Sequence, residues 1–559
     1  MGISIATAPG WRSREYQAIV AEISSRARIA RAKGVGAVTA AEREAKEWLR
    51  QGFAALQQGR SKDAADFCRK AISAAPQNPD AHFLVGLVAL DMNDLKTAAR
   101  AFGSVTKLAP RHAAAWAQLA RLFMRLGQPA RAEKALEEAR AAGVRDAPVA
   151  DLIGVTSSML GDQKEARRWY EKACALAPDS DEYAVNLATS CMFLGDNDGA
   201  KRVLETVLGR NDRIAQAQWL YSSIEKAKSP ARGDMLMARA GGESAPAAAF
   251  LAYAAGKEFE DCEAWDKAFT AFETGARAKR SLVDYDEAAE EKYFAALESA
   301  FNEEWAATPR AGVDDPSPIF VIGQPRTGTT LIERIITSHS DVDSAGELQQ
   351  FRLSVRRLAK DGGGDRPQAE QVASWREIDA KALGAEYLRV SAPMRGGAGR
   401  FVDKLPGNYQ FLPLILAALP KARIVHLTRD PMDSCFASYK QLFADAYFHS
   451  YDQGEMARHH ARYRRLMAHW RRLFPGRFLD ISYEETVGDL EPNARRLIEF
   501  LGLDWQDQCL SFHEKTGAVA TASAVQVREK PHTRSVGRWR RYETQLAPMR
   551  RALEEAGVA

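Results

Sequence analysis

Arg326 sits inside a glycine-broken turn, Gly323-Gln-Pro-Arg-Thr-Gly328, with Thr327, Thr329 and Thr330 beside it. Backbone N–H groups gathered by such a turn, one guanidinium and several hydroxyls together suit an anion. The spacing Gly323-x4-Gly328 is that of the nucleotide P-loop, but Thr329 stands where that loop carries its lysine. The turn therefore reads as a phosphate cradle that is not built to grip the β- and γ-phosphates of a nucleoside triphosphate.

The flanking residues place this turn between a strand and a helix. Ile319–Ile322 is a short apolar run suited to a buried parallel strand. After the turn, Thr329 and Thr330 are expected to cap a helix whose Leu331, Ile332, Ile335 and Ile336 fall at helical spacing. Further along, a short extended segment ends in Gly346-Glu347, and a helix is expected over 348–360. Another helix is expected over 375–391, then a strand and loop over 400–409, a helix over 410–419 and a strand over 423–428. Basic helices then run through Trp470, followed by a strand over 477–483 and a helix over 493–501. Strands alternating with helices predict a parallel α/β sheet of P-loop type in the C-terminal half. Ligands of such sheets bind beyond the C-terminal strand ends, so the loops 323–330, 404–408, 429–438 and Tyr483 are expected on one side.

The N-terminal half has a different period. Gly59, Asn93, Gly127, Gly161 and Gly195 recur every 34 positions, each followed five residues later by Ala64, Ala98, Ala132, Ala166 and Ala200. Pro76, Pro110 and Pro178 share the register, with Val144 in the remaining slot, and Gly52, Gly86 and Gly154 share one small position. This is the tetratricopeptide period, and it predicts an all-α solenoid of helix–turn–helix pairs. A sixth, degraded unit is expected over 250–280, around Trp265, Ala268 and Phe272. The expected divisions are a lead-in helix or disordered segment over 1–43, the repeat array over 44–305, a proline-rich linker over 306–317 and the α/β domain over 318–559.

Composition excludes more than it assigns. Lys+Arg 77 against Asp+Glu 73 leaves +4 on 559 residues, so neither nucleic acid nor a membrane surface is called for by charge. The six cysteines form no CxxC pair and read as buried thiols in a reducing compartment. The N-terminal residues lack a secretory pattern and the longest apolar run is too short to span a bilayer, which points to the cytoplasm. His459-His460 lie in an arginine-rich helix without metal-ligand partners at useful sequence spacing, so no metal is expected.

Five stretches together carry a resemblance: Pro325-Arg-Thr-Gly-Thr-Thr330, Gly346-Glu347, Asp403-Lys-Leu-Pro406, His426-Leu-Thr-Arg-Asp-Pro-Met-Asp433 and Ile481-Ser-Tyr-Glu484. They resemble the sulfotransferases that use 3′-phosphoadenylyl sulfate, above all the tyrosylprotein sulfotransferase-like group, and bacterial proteins joining such a domain to tetratricopeptide repeats. The resemblance implies that Arg326, Thr327, Gly328, Thr329 and Thr330 hold the 5′-phosphosulfate, which needs neither the P-loop lysine nor magnesium. It implies Glu347 as catalytic base, with Arg326 and Lys404 stabilising the leaving group. It further implies Arg429 on the 3′-phosphate and Tyr483 against the adenine. The family places a serine eight residues after this arginine; here that position is Ala437, leaving Ser434 and Ser438 as stand-ins. Ser523, Arg528 and Arg538 fall in a basic tail that in the family closes over the nucleotide. The implied acceptor is a hydroxyl, with tyrosine in a protein or peptide as first choice, held by the repeats. A P-loop kinase or hydrolase, and a repeat scaffold with a decayed domain, are the competing readings.

Overall fold

The structure is a computed structural model describing residues 40–359, 367–444, 446–515, 518–519 and 528–558. Most of the lead-in 1–43, and Ser523, lie outside them.

From Ala40 to Ala307 the chain is helical. The 34-residue register is visible in the backbone: Gly59, Asn93, Gly127, Gly161 and Gly195 all turn through positive φ (70°, 58°, 67°, 89° and 82°), each between two helices of a pair. Asp94, Asp162 and Asp196 then cap the second helix of their pairs through a backbone N–H three residues on. The alanines five residues after each turn are fully buried. The small position has an equally direct cause. A Cβ on Gly86 would lie 2.4 Å from the Phe102 ring and one on Gly154 2.7 Å from Tyr170. The degraded unit keeps the device, since a Cβ on Gly256 would lie 2.5 Å from Phe272.

The described chain forms two compact units that part between Ser190 and Cys191, not in the proline-rich linker. The helices after residue 190 share one unit with the sheet because ion pairs and hydrogen bonds tie them to it. Arg280 forms a double hydrogen bond to Glu455, Arg462 pairs with Glu287 and Glu290, and the Tyr253 hydroxyl donates to the Tyr439 carbonyl at 2.9 Å. The linker itself is packed: Val313 N–H donates to the Ala418 carbonyl at 2.8 Å, and a Cβ on Gly312 would collide with the Ala417 carbonyl.

The sheet has five strands, β1 (Pro318–Gly323), β2 (Val342–Ser344), β3 (Arg400–Asp403), β4 (Arg423–Thr428) and β5 (Leu479–Ser482), in the order β2-β3-β1-β4-β5 and all parallel. β1 is central and buried along its length. Its alternate residues feed two cores: Ile319 and Val321 pack with Ile332 and Ile335, while Phe320 and Ile322 pack with Phe351 and Tyr387. Two expectations change in detail. The helix expected over 375–391 is two, Ala369–Trp375 and Ala380–Ser391, and Tyr483 leaves β5 to open the helix Tyr483–Gly488.

Candidate active site at the strand ends

Each of the five strands delivers one of the expected polar or aromatic groups just past its C-terminal end: β1 Arg326, β2 Glu347, β3 Lys404, β4 Arg429 and β5 Tyr483. A parallel sheet gathers these ends on one edge, which is how residues far apart in sequence become neighbours.

The loop after β1 is held open by its glycines. Gly323 (φ 149°) and Gly328 (φ 104°) both adopt conformations that L side chains avoid, and a Cβ on Gly328 would lie 2.5 Å from the Tyr483 ring. Arg326 itself has φ 63°, an uncommon backbone state for a residue with a side chain. Thr327 Oγ1 donates to the Gln324 carbonyl at 2.7 Å and Ser438 Oγ to the Pro325 carbonyl at 3.2 Å, fixing the turn from within and from the helix Pro431–Tyr439. The expected threonine cap is not what starts the next helix. Gly328 occupies the cap position with no side-chain hydrogen bond, and the buried Thr329 and Thr330 are its first helical residues. The helix Thr329–Thr337 thus presents its positive end to the turn with no side chain capping it.

Arg429 lies alongside. Its Nη1 donates to the Arg326 carbonyl at 2.8 Å, its Nη2 to the Ser535 carbonyl at 2.6 Å, and the guanidinium stacks 4.6 Å above the Tyr483 ring. Burial, with the like charge of Arg429 close by, pushes the Arg326 pKa down to about 10. Two guanidiniums held together in this way beside an uncapped helix start suit an anion with more than one negative group.

On the other side of β1, Lys404 Nζ donates to Glu347 Oε1 at 2.6 Å. The Lys404 N–H also donates to the Gly346 carbonyl at 2.9 Å, so backbone and side chains join the same two loops. Lys404 is 1% exposed and Glu347 16%. Burial alone would raise the Glu347 pKa, but nearby positive charge, with the ammonium of Lys404 the largest part of it, holds the carboxyl below its ordinary range. Conversely, burial would lower Lys404, and the Glu347 and Glu333 charges raise it. Glu333, from the helix after the loop, lies 3.8 Å from Lys404 and accepts from Ser344 Oγ at 2.5 Å. Asp403 does not pair with its neighbour Lys404: it accepts from Tyr387 at 2.9 Å and Asn408 at 3.3 Å, and burial pushes its pKa up to about 8.

The remaining expected groups are placed differently. Ser438 already serves the Pro325 carbonyl, while the hydroxyl of Ser434 is buried without a hydrogen-bond partner among the described residues. Arg528 donates to the Phe193 carbonyl at 3.1 Å. Arg538 pairs with Glu260 at 3.2 Å and lies over the Trp265 ring, so a carboxylate takes the guanidinium expected on the nucleotide. Asp433 accepts from the Gly537 and Trp539 N–H groups and pins the C-terminal segment. Asp430 caps the helix Pro431–Tyr439, accepting from Asp433 N–H at 2.9 Å. Sequence reading missed Glu333, Glu260 and Lys440, whose partners are too distant in the chain for spacing to reveal.

His459 finds the partners that spacing alone did not provide. Glu290, His449 and His459 bring ligand atoms within 4.8 Å of one another. The two imidazoles, however, stack face to face at 3.4 Å and 11°, so their in-plane lone pairs run parallel instead of converging. Arg462 already occupies Glu290 at 2.8 Å. This arrangement is a charge hub, and His459 extends it to Gln324 in the β1 loop at 3.4 Å.

The chain matches two kinds of known domain. Residues 318–507 match the model of the sulfotransferase family, and residues 26–79, 89–154 and 148–180 match tetratricopeptide repeat models. An uncharacterized protein of Aquifex aeolicus (strain VF5) is 36% identical over 248 residues, 43% of this chain and 32% of the relative. A putative protein-tyrosine sulfotransferase of Caenorhabditis briggsae is 26% identical over 226 residues, 40% of this chain and 80% of the relative. The match to the Aquifex protein therefore spans about a third of that relative's length. Among solved structures, the sulfotransferase domain of the Synechococcus PCC 7002 olefin synthase aligns over 44% of this chain and 96% of its own, at 17% identity and a TM-score of 0.34. No helix among the described residues is long and apolar enough to cross a membrane. The chain joins tetratricopeptide repeats to a domain of the sulfotransferase family.

Proposed function

We propose that this protein transfers the sulfuryl group of 3′-phosphoadenylyl sulfate to a hydroxyl acceptor, with tyrosine in a protein or peptide as the acceptor. The observation that carries the reading is the buried Glu347–Lys404 pair at 2.6 Å, set at the ends of β2 and β3 beside the Arg326 loop. A base and a leaving-group cation side by side, next to an anion cradle, are what in-line transfer between two oxygens requires.

The acceptor hydroxyl gives its proton to Glu347 as its oxygen bonds to sulfur, and the bond from sulfur to the bridging phosphate oxygen breaks. Negative charge then develops on that phosphate oxygen, where Arg326 and Lys404 donate. The resting ion pair also sets an order of events. While Lys404 faces Glu347, the carboxylate is a weak base; once Lys404 turns toward the donor's phosphate, Glu347 loses its neighbouring cation and becomes a stronger one. Arg429, stacked on Tyr483, provides a planar cation and an aromatic face for a phosphorylated adenosine. The protein acceptor is supported by the repeats, which form extended binding surfaces, and by the name carried by the Caenorhabditis relative.

Calorimetry with 3′-phosphoadenosine 5′-phosphate, against ATP with magnesium, tests the donor. Binding of the bisphosphate and transfer of labelled sulfate to tyrosine peptides are expected; binding of ATP-magnesium alone would refute the reading.

A further inference from the structure

Glu260 lies on the helix Ala245–Asp261, outside the 318–507 segment that matches the sulfotransferase family. Its side chain is 9% exposed and accepts from three donors. Lys440 Nζ reaches both oxygens, at 2.9 and 2.8 Å; Arg538 Nε lies 3.3 Å from Oε1; the Tyr542 hydroxyl donates to Oε1 at 2.8 Å. Those donors come from two segments, and both lead to Arg429. Lys440 directly follows the helix Pro431–Tyr439, which starts two residues after Arg429 and whose Ser438 braces the β1 loop. Arg538 and Tyr542 follow Ser535, whose carbonyl receives Arg429 Nη2. Asp433 grips this last segment from the other side, through the N–H groups of Gly537 and Trp539.

We propose that Glu260 is a positioning residue for the phosphoadenosine end of the donor site, a helical-repeat carboxylate that keeps Arg429 and the C-terminal segment in the geometry that receives the nucleotide. The inference rests on the sulfotransferase reading. Lys440 and Arg538 are like charges that would part without a shared anion, and their separation moves Ser438 at one end and Ser535 at the other. Arg326 adds to the same field, since Lys440 feels both it and Arg538. Glu260 is therefore expected to help an anion bind although it is itself negative, which runs against the effect of its charge taken alone.

That opposition gives the test. Full-length wild type, Glu260→Gln and Glu455→Gln are titrated calorimetrically with 3′-phosphoadenosine 5′-phosphate, and initial rates are measured against donor concentration. Glu455 pairs with Arg280 at 2.8 Å within the same compact unit but holds nothing that leads to Arg429. Glu260→Gln is expected to weaken nucleotide binding about tenfold and to raise the donor KM by the same factor while kcat changes less than twofold. Glu455→Gln is expected to leave affinity within twofold even if both variants melt earlier. Unchanged or tighter binding by Glu260→Gln overturns the inference, because the carboxylate would then act only as a repelling charge. Equal weakening by Glu455→Gln also overturns it, because the effect would be general loosening. Should Glu260→Gln not fold, Lys440→Met removes the opposite partner and must weaken binding equally; unchanged affinity there overturns the inference. Absence of binding by wild type would count against the donor assignment instead.

Discussion

Lys404 Nζ and Glu347 Oε1 lie 2.6 Å apart although 57 positions separate them in the chain. The meeting is a property of the sheet: β2 and β3 are parallel neighbours, so their exits coincide. Because the lysine is 1% exposed, its charge depends on this carboxylate and on Glu333. Glu347→Gln is expected to cut sulfuryl transfer by about 10²–10⁴ while nucleotide binding persists. It also leaves Lys404 buried without its closest counter-charge, a loss typically worth about 3–5 kcal/mol. Glu347→Gln with Lys404→Met should recover part of that stability without recovering activity. Single-turnover transfer and urea midpoints of both singles and the double measure the two effects separately.

Arg326 and Arg429 are expected to separate kinetically despite their contact. On the proposed reading charge builds beside the Arg326 loop during transfer, so Arg326→Ala should lower kcat by about 10²–10³. Arg429 braces Arg326 through its carbonyl and stacks on Tyr483, and on the proposed reading it serves the phosphoadenosine and not the bond that breaks. Arg429→Ala should act mainly on binding, weakening the bisphosphate about ten- to hundredfold, as loss of a charged hydrogen bond of roughly 1.5–3 kcal/mol implies. Comparable kcat losses in both variants, with unchanged nucleotide affinity, would contradict this division.

What could be read before folding follows from how local each signal is. The turn glycines and Ala64 through Ala200 repeat in register, so the repeat positions were legible as a pattern. Arg326, Glu347, Lys404, Arg429 and Tyr483 were legible because each follows a strand, and strand exits of a parallel sheet share an edge. Glu260 and Lys440, 180 positions apart, have no local signature: Glu260 sits on a helix whose spacing marks it only as polar. The pairing of Arg538 with Glu260 was hidden for the same reason, since a basic context names no partner. The packing of the proline-rich linker had no local signature, because prolines mark a linker whether or not it packs, and Val313 shows that this one does.

The repeat glycines separate two costs that a sequence merges. Gly59 has φ 70° and nothing within 4 Å of an added Cβ, so Gly59→Ala pays only backbone strain, about 1–2 kcal/mol. Gly154 lies within its helix, but a Cβ there would meet the Tyr170 ring at 2.7 Å, so Gly154→Val should cost about 1–3 kcal/mol through overpacking. Trimming the ring with Tyr170→Ala in the Gly154→Val background should relieve the clash and leave Gly59→Ala unaffected. Urea midpoints of wild type, the three single variants and the two doubles with Tyr170→Ala decide it; no favourable coupling between Gly154→Val and Tyr170→Ala would mean that the glycine serves another purpose.

Two buried histidines should make the fold lose stability as pH drops below about 6.5, against the opposite contribution of Asp403, whose carboxyl burial pushes up to about 8. His460 is 2% exposed, neither ring nitrogen has a hydrogen-bond partner among the described residues, and burial together with the charge of Arg464 pushes its pKa down to about 3. His449 is likewise pushed down to about 4 by burial and by the neighbouring His459. In the unfolded chain both take up a proton near pH 6.5. Between those values and 6.5 the unfolded state binds more protons than the folded state, so stability rises with pH there and falls as pH drops. Each pH unit well inside the window costs roughly 1.4 kcal/mol per histidine. His460→Phe, which fills the same apolar surroundings beside Tyr463 with no proton to gain, should therefore lower the difference between urea midpoints at pH 5 and pH 7. An unchanged difference would mean that His460 is protonated in the folded protein and that its burial is not the source of acid sensitivity.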